Sequence, residues 1–152
     1  MADRIEFVLC DFFSFVKAYG ALPSNTQGGQ SNARKIDVVF LSPPWGGPSY
    51  LEGPPEDVQD VSTSSIPADY SLSSIRPVNG FELFHISRTI TKNIAYYLPR
   101  NTRVMEISQL LSEARTGVQD ESIEIEEEWM GNKLKALTCY FGGLVQGQED
   151  MF

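Results

Sequence analysis

Residues 36–41 form a nearly continuous apolar run that stops at the sequence Ser-Pro-Pro-Trp-Gly-Gly-Pro over 42–48. Runs of this length and composition are typical of strands that are buried on both faces of a parallel sheet. Because proline has no backbone N–H to donate to a neighbouring strand, the run has to end before Pro43. The sequence therefore predicts a buried strand at 36–41 with a rigid segment at its carboxyl end.

Weaker patterns on both sides of this strand predict an α/β fold. Asn79 is a suitable N-cap, with Glu82 three residues later, so a helix is expected at 80–92. The other predicted elements are strands at 5–10, 94–98, 122–130 and 134–141, helices at 12–19 and 104–114, and a hairpin turn at Gly131 and Asn132. This order predicts one domain over 1–152, with a mostly parallel sheet that ends in an antiparallel hairpin. Flexible loops are expected at 20–34 and 51–75, and a tail at 146–152.

Composition excludes several classes of protein. The 152 residues include 12 Lys and Arg against 20 Asp and Glu, a formal net charge of -8, which argues against a protein that coats nucleic acid non-specifically. No apolar run approaches the roughly 20 residues of a membrane span, and the N-terminus lacks the pattern of a signal peptide. Cys10 and Cys139 are too few for a disulfide framework or a structural zinc site, so we expect two inert, buried thiols in a soluble intracellular chain.

The segment 42–45 presents groups that suit a planar base. The ring of each proline fixes the backbone, so the carbonyls of Ser42 and Pro43 are held rigidly, without a competing local donor. Such carbonyls can accept hydrogens from an exocyclic amine, while the indole of Trp45 stacks on the ring. An alternative is that the prolines only terminate the strand and Trp45 packs in the core. Gly46 and Gly47 favour the first interpretation, because they leave room for a ligand to approach the backbone.

The stretch 37–50 closely resembles the catalytic motif of the RNA cap guanine-N2 methyltransferases, the trimethylguanosine synthase family. Later segments are similar to that family in the same order, at 80–84, 91–94, 97–101, 132–135 and 140–142, and the opening 2–7 with 11–12 is similar to the segment before the motif. The resemblance covers most of the chain except the two predicted loops. It implies the C-terminal part of a class I, Rossmann-like methyltransferase that uses S-adenosylmethionine and no metal.

The resemblance also implies a role for individual residues. The implied catalytic residues are Ser42, Pro43, Pro44 and Trp45; the cap-binding residues are Trp45, Arg100, Tyr50 and Asn101; and the cofactor-binding residues are Asp11, Phe12 and Ser42. Ser42 and Pro43 would orient the guanine amine, and Trp45 would stack on the methylated base. Arg100 would contact a cap phosphate, which suits the planar guanidinium.

A cluster of basic residues in the sequence agrees with phosphate binding. Its members are Arg76, Arg88, Lys92, Arg100 and Arg103. For Arg88 and Lys92, an ordinary solvated helix face is the alternative.

The family's glycine-rich cofactor turn does not precede residue 36 in this sequence. We therefore expect an incomplete methyltransferase domain, with an incomplete S-adenosylmethionine site and no measurable methyl transfer by the chain alone. The strand at 5–10 would then lack a neighbour, and the strand at 36–41 would have an open apolar edge that invites aggregation or pairing with a partner. From this we expect an isolated chain that is poorly soluble or only partly ordered.

Three functions are compatible with these residues. The first is an RNA cap guanine-N2 methyltransferase, recorded here as a fragment, which converts the 7-methylguanosine cap to 2,2,7-trimethylguanosine. The second is a non-catalytic cap-binding or interaction module derived from that family. The third is a methyltransferase for another amine, such as adenine in nucleic acid, which Ser42 and Trp45 disfavour. For the first, the resemblance implies small nuclear and nucleolar RNA as partners and the nucleus as location.

Overall fold

The computed structural model describes residues 5–21, 35–46, 69–112 and 121–145. The predicted tail at 146–152 and the candidate cap-binding residue Tyr50 lie outside these ranges, as do most of the predicted loops at 20–34 and 51–75. Every predicted helix and strand falls within the described ranges at least in part.

Within the described ranges, four strands form one mixed sheet in the order β1-β2-β4-β3. They are β1 (Val39–Leu41), β2 (Ile94–Pro99), β3 (Glu124–Met130) and β4 (Lys133–Phe141). β1 and β2 are parallel, and the pairings of β2 with β4 and of β3 with β4 are antiparallel. Gly131 adopts a positive φ of 58° in the turn between β3 and β4, as the predicted hairpin requires. The α/β fold and the final antiparallel hairpin are therefore confirmed, whereas the sheet is less parallel than predicted, since one of the three pairings in the described ranges is parallel.

Three α-helices accompany the sheet in the described ranges. They are α1 (Phe12–Gly20), α2 (Gly80–Arg88) and α3 (Val104–Ser112). Asn79 caps α2 as predicted, since its side chain accepts a hydrogen bond from the Glu82 N–H at 2.9 Å. α2 ends earlier than the predicted residue 92, because the N–H and the hydroxyl of Thr89 both donate to the carbonyl of Ile86. A side chain that bonds to the preceding turn in this way competes with continuation of the helix.

The hydrophobic core lies on one face of the sheet, between β2, β4 and the helices α2 and α3. Phe84 of α2 is central, with its ring centroid 4.5 Å from that of Phe141 and 6.3 Å from that of Tyr96. The buried cluster also includes Leu41, Tyr70, Leu72, Ile75, Ile94, Leu98, Ile107, Leu110, Leu137 and Cys139. This packing fixes the orientation of β2, from whose carboxyl end the candidate site extends.

The segment 5–10 is exposed and forms no strand, so the predicted strand is wrong. Phe7 and Leu9 are 93% and 104% exposed. A strand is stable only beside a neighbour, and within the described ranges no strand pairs with this segment. Cys10 is also exposed, contrary to expectation, whereas Cys139 is buried and burial raises the pKa of its thiol to about 12.

The strand predicted at 36–41 is shorter and less buried than expected. Its ordered part is β1, in which Leu41 is 6% exposed while Phe40 is 62% exposed. Within the described ranges β1 pairs along one edge only, with β2, and Phe40 lies on the face of the sheet opposite the core. Burial on both faces is therefore wrong for this strand, and its second edge is open in the described part of the chain.

Candidate functional site

Two loops begin at the carboxyl ends of the neighbouring parallel strands β1 and β2, and we call this end of the pair the carboxyl edge. β1 ends at Leu41, which lies opposite Tyr96, and the chain turns away through residues 42–46. β2 continues to Pro99 and is followed by Arg100 and Asn101. The carboxyl ends of neighbouring parallel strands are where open α/β sheets bind ligands. Trp45, Arg100 and Asn101 therefore follow these strands at the expected edge.

Trp45 is half-buried, and it packs against the hydrophobic core. Its ring centroid lies 5.1 Å from that of Tyr97, with an angle of 34° between the planes. Gly46 follows with a φ of 96°, a conformation that favours glycine. The core contacts agree with the alternative that Trp45 packs in the core, whereas stacking of a base on its partly exposed indole stays a prediction.

The residues before Trp45 provide rigid backbone acceptors. Ser42 and Pro44 are exposed, and Pro43 is half-buried. Neither proline has an N–H, so the carbonyls of this segment cannot be engaged by donors from its own two prolines. The segment can therefore accept hydrogens from a planar amine that lies beside the indole.

Arg100 provides positive charge at the carboxyl end of β2, on the side that faces β4. The residue is exposed, and its Nη1 donates to the carbonyl of Leu134 at the start of β4, at 3.2 Å. This bond ties the side chain to the hairpin and limits its rotamers. The guanidinium can still present its planar face and other N–H groups to an anion.

Two other members of the basic cluster contact carboxylates. Nη2 of Arg88 donates to both carboxylate oxygens of Glu121, at 2.9 and 3.0 Å, and the guanidinium lies 5.8 Å from the ring centre of Phe84. Arg103 lies 3.3 Å from Glu106. For Arg88, the solvated helix face is replaced by a half-buried ion pair. These contacts leave Arg100 as the arginine best placed for a ligand at the strand ends.

Tyr70 joins the two loops, although the sequence reasoning placed it in a flexible loop and gave it no role. Its N–H donates to the carbonyl of Asn101 at 2.7 Å, and it forms a parallel bridge with Thr102. Its hydroxyl donates to the carbonyl of Trp45 at 3.2 Å. The available signal was an aromatic residue in a polar stretch shortly before the apolar residues Leu72 and Ile75.

The predicted cofactor-binding residues lie at the start of α1. The Oδ1 atom of Asp11 accepts hydrogen bonds from the backbone N–H and the hydroxyl of Ser14, both at 2.9 Å, so Asp11 is the N-cap of the helix. These two bonds hold the pKa of the carboxyl below its usual value. Phe12 is half-buried, and its ring lies 6.3 Å from that of Phe13. These contacts stay within α1 and do not join it to the segment 42–45.

Two features are absent from the described ranges. No group of three or more His, Cys, Asp and Glu residues in them is arranged to hold a metal ion. Likewise, no helix of the described chain is both long enough and apolar enough to cross a membrane.

The chain is similar in sequence to known proteins. A family model described as RNA cap guanine-N2 methyltransferase matches residues 1–144. The chain is 34% identical to the trimethylguanosine synthase of Schizosaccharomyces pombe over 104 residues, which are 68% of this chain and 35% of the relative. It is 31% identical to the trimethylguanosine synthase of Saccharomyces cerevisiae over 75 residues, 49% of this chain and 20% of the relative. The chain thus matches about a third or less of the length of these relatives.

Proposed function

The chain belongs to the RNA cap guanine-N2 methyltransferase family, and on that premise we propose that its carboxyl strand edge holds the 7-methylguanosine cap of an RNA. The base stacks on Trp45, a cap phosphate binds Arg100, and the carbonyls of Ser42 and Pro43 accept the exocyclic amine. Two successive methyl transfers to that amine, each from one S-adenosylmethionine molecule and each with loss of a proton, give a 2,2,7-trimethylguanosine cap. The proposal is carried by one observation, that Trp45, supported by Tyr97, and Arg100 leave the same edge of adjacent strands.

The indole of Trp45 is suited to a cationic base. Methylation at N7 gives guanine a positive charge, and a cation over an indole face gains about 2 kcal/mol when the pair is desolvated. Tyr97 and the core hold the indole before any ligand binds. A stacking surface that is already ordered loses little side-chain entropy on binding, so more of the contact energy contributes to affinity.

Arg100 accounts for recognition of the phosphates despite the formal net charge of -8. Its guanidinium can bind a phosphate through two parallel hydrogen bonds. The bond from Nη1 to Leu134 at 3.2 Å already orients the side chain. Anion binding at this edge is thus a local property of one oriented cation rather than of the whole surface.

The reaction requires orientation more than acid–base chemistry. S-adenosylmethionine, when bound, supplies a methyl group on a positively charged sulfur. With the cofactor bound, the carbonyls of Ser42 and Pro43 would hold the amine towards the methyl group, and the amine would lose a proton to water for each methyl group that it gains. Alignment of this kind can contribute roughly 7–11 kcal/mol to lowering a barrier.

Asp11 is the residue through which the chain's fit to the cofactor can be examined. Both bonds from Ser14 end on Oδ1 of an exposed carboxylate, an arrangement compatible with a further donor, such as an adenine amine, at Oδ2. We assign Asp11, with Phe12 beside it, to the adenine end of S-adenosylmethionine, and Ser42 to its methyl end.

A fluorescence titration tests cap binding. The chain contains two tryptophans, and replacing the exposed Trp129 on β3 with Phe leaves Trp45 as the reporter. Stacking by 7-methylguanosine triphosphate should quench its emission, and Arg100→Gln should weaken binding more than Arg76→Gln, which alters an exposed arginine outside the edge. The absence of quenching at millimolar ligand would refute the proposal.

Methyl transfer distinguishes the catalytic from the non-catalytic function. The chain matches only 35% and 20% of the length of two relatives, so catalysis by this chain is part of our proposal. We expect the chain alone to transfer no methyl group from S-adenosylmethionine to a capped RNA, even where it binds the cap. Detection of a dimethylated or trimethylated cap by mass spectrometry would overturn this expectation.

We further propose that small nuclear and nucleolar RNAs carry the cap and that the protein acts in the nucleus. Both statements rest on the family resemblance. Microscopy of the tagged chain in its own cells and sequencing of co-purified capped RNA test them, with exclusion from the nucleus as the contrary result.

A further inference from the structure

Tyr70 is held in place by its own backbone beside the loop that follows β2. Its N–H donates to the carbonyl of Asn101 at 2.7 Å, and its carbonyl accepts the N–H of Arg103 at 3.0 Å. Tyr70 also forms a parallel bridge with Thr102. These contacts pair the backbone of Tyr70 with residues 101–103, which directly follow Arg100. The backbone of Tyr70 is therefore fixed relative to the phosphate-binding side of the edge.

The residues after Tyr70 strengthen this attachment. The carboxylate of Glu106, in the first turn of α3, accepts the N–H of Leu72 at 2.6 Å and the hydroxyl of Ser71 at 3.1 Å. Leu72 is fully buried in the core. The segment that carries Tyr70 thus moves as one piece with the start of α3.

The side chain of Tyr70 reaches the other loop. The residue is 6% exposed, and its hydroxyl donates to the carbonyl of Trp45 at 3.2 Å. Burial raises the pKa of the phenol, so it stays protonated and able to donate at neutral pH. The accepting carbonyl precedes Gly46, at a φ of 96°, where the backbone would otherwise have more freedom to rotate.

We propose that Tyr70 is a positioning residue that sets the spacing between the indole of Trp45 and the guanidinium of Arg100. The inference rests on the proposed function for the ligand that spans both groups, a methylated base with attached phosphates. Loss of the phenol hydroxyl removes one restraint on the peptide plane after Trp45, while the 70–72 segment stays attached to α3. A ligand that contacts both loops then binds less well, whereas one that contacts only the indole is affected less.

The test compares two tyrosine-to-phenylalanine variants in the full chain carrying Trp129→Phe. Tyr70→Phe removes the bond to Trp45, whereas Tyr96→Phe is the matched control. The hydroxyl of Tyr96 also donates to a backbone carbonyl at 3.2 Å, that of Gly80, but from the core. Both variants lose one buried hydroxyl, so a general loss of stability affects both and a positional effect affects Tyr70→Phe alone.

Two measurements follow. In the free chain, Tyr70→Phe should increase quenching of Trp45 emission by acrylamide, and Tyr96→Phe should not. With ligands, Tyr70→Phe should weaken 7-methylguanosine triphosphate about three- to tenfold, as expected for one lost hydrogen bond, and weaken the 7-methylguanosine nucleoside less. A uniform loss for both ligands, or equal behaviour of the two variants, would overturn the positioning role.

Failure of the proposed function gives a different result. If the parent chain shows no quenching by either ligand, cap binding is refuted, and the acrylamide comparison still decides whether Tyr70 restrains Trp45. If the parent binds the triphosphate and Tyr70→Phe matches it in affinity and acrylamide quenching, the function stands and the positioning role of Tyr70 is wrong.

Discussion

Gly142, the first residue after β4, cannot be replaced by alanine without displacing its neighbours. Its φ is 70°, and a Cβ there would lie 2.5 Å from the carbonyl oxygen of Lys92, 2.8 Å from its carbonyl carbon and 2.9 Å from Oδ1 of Asn93. Two of these atoms are backbone, which cannot rotate away as a flexible side chain can. The Oδ1 atom also accepts the N–H of Gly143 at 2.8 Å, so a shift of Asn93 breaks that bond.

The consequence reaches β1 through Asn93. Its Nδ2 donates to the carbonyl of Asp37 at 3.0 Å, and its carbonyl accepts the N–H of Val39 at 3.0 Å. The left-handed conformation costs alanine roughly 1–2 kcal/mol. Each hydrogen bond lost adds about 0.5–1.5 kcal/mol. We therefore expect Gly142→Ala to lower the free energy of unfolding by about 2–4 kcal/mol, a large part of the 5–15 kcal/mol typical of a domain.

Gly131→Ala is the matched control for Gly142→Ala. Gly131 also has a positive φ, 58°, but a Cβ there would have no heavy atom within 4 Å. It should therefore lose only the roughly 1–2 kcal/mol of the backbone conformation. Urea unfolding followed by far-ultraviolet circular dichroism measures both, and Gly142→Ala should have the clearly lower midpoint. Equal midpoints would refute the steric argument and the role of Asn93 in joining β1, β2 and β4.

Three further predictions concern exposed and buried groups. Phe40→Lys, at the open edge of β1, should reduce concentration-dependent self-association measured by light scattering, because a charge on an edge strand opposes pairing. The control is Met105→Lys on α3, where the residue is 73% exposed. An equal effect of both variants would show that the open edge of β1 is not the cause. At pH 8 a thiol reagent should modify Cys10 and spare Cys139 until urea is added, because burial raises the pKa of Cys139 to about 12. The thiol of Cys139 has its usual pKa of 9.0 only in the unfolded chain, so the free energy of unfolding should fall as the pH rises above 9.0. Rapid modification of both thiols in the native chain would contradict the burial of Cys139.

The elements predicted correctly are those that depend on local chemistry. Asn79 caps α2 through a side chain three residues from its partner, and Gly131 turns the hairpin because of its own backbone freedom. β2 was also predicted from its apolar run, since a strand flanked on both sides by β1 and β4 is buried as such a run requires.

The elements predicted wrongly depend on neighbours that the local sequence does not specify. The apolar alternation at 5–10 favours a strand, but pairing is a property of two segments, and this segment is exposed. Phe40 is exposed because burial also depends on neighbouring segments, although the apolar run at 36–41 predicts burial on both faces.

The candidate site was predicted in its parts and not in its assembly. The family resemblance indicated Trp45 and Arg100, and the strand pairing places both loops at one edge. Tyr70 could not be assigned from spacing, because its contacts with Trp45 and Asn101 lie 25 and more residues away along the chain. Its role follows from the bridge that only the folded chain forms.

The central claim is that this edge recognises a positively charged base, and calorimetry measures that property directly. The chain should bind 7-methylguanosine triphosphate at least tenfold more tightly than guanosine triphosphate, because both carry the same phosphates and only the first has the charge that the indole favours. Trp45→Ala should abolish the difference while leaving weak binding through Arg100. Equal affinity of the unaltered chain for the two nucleotides would contradict the account.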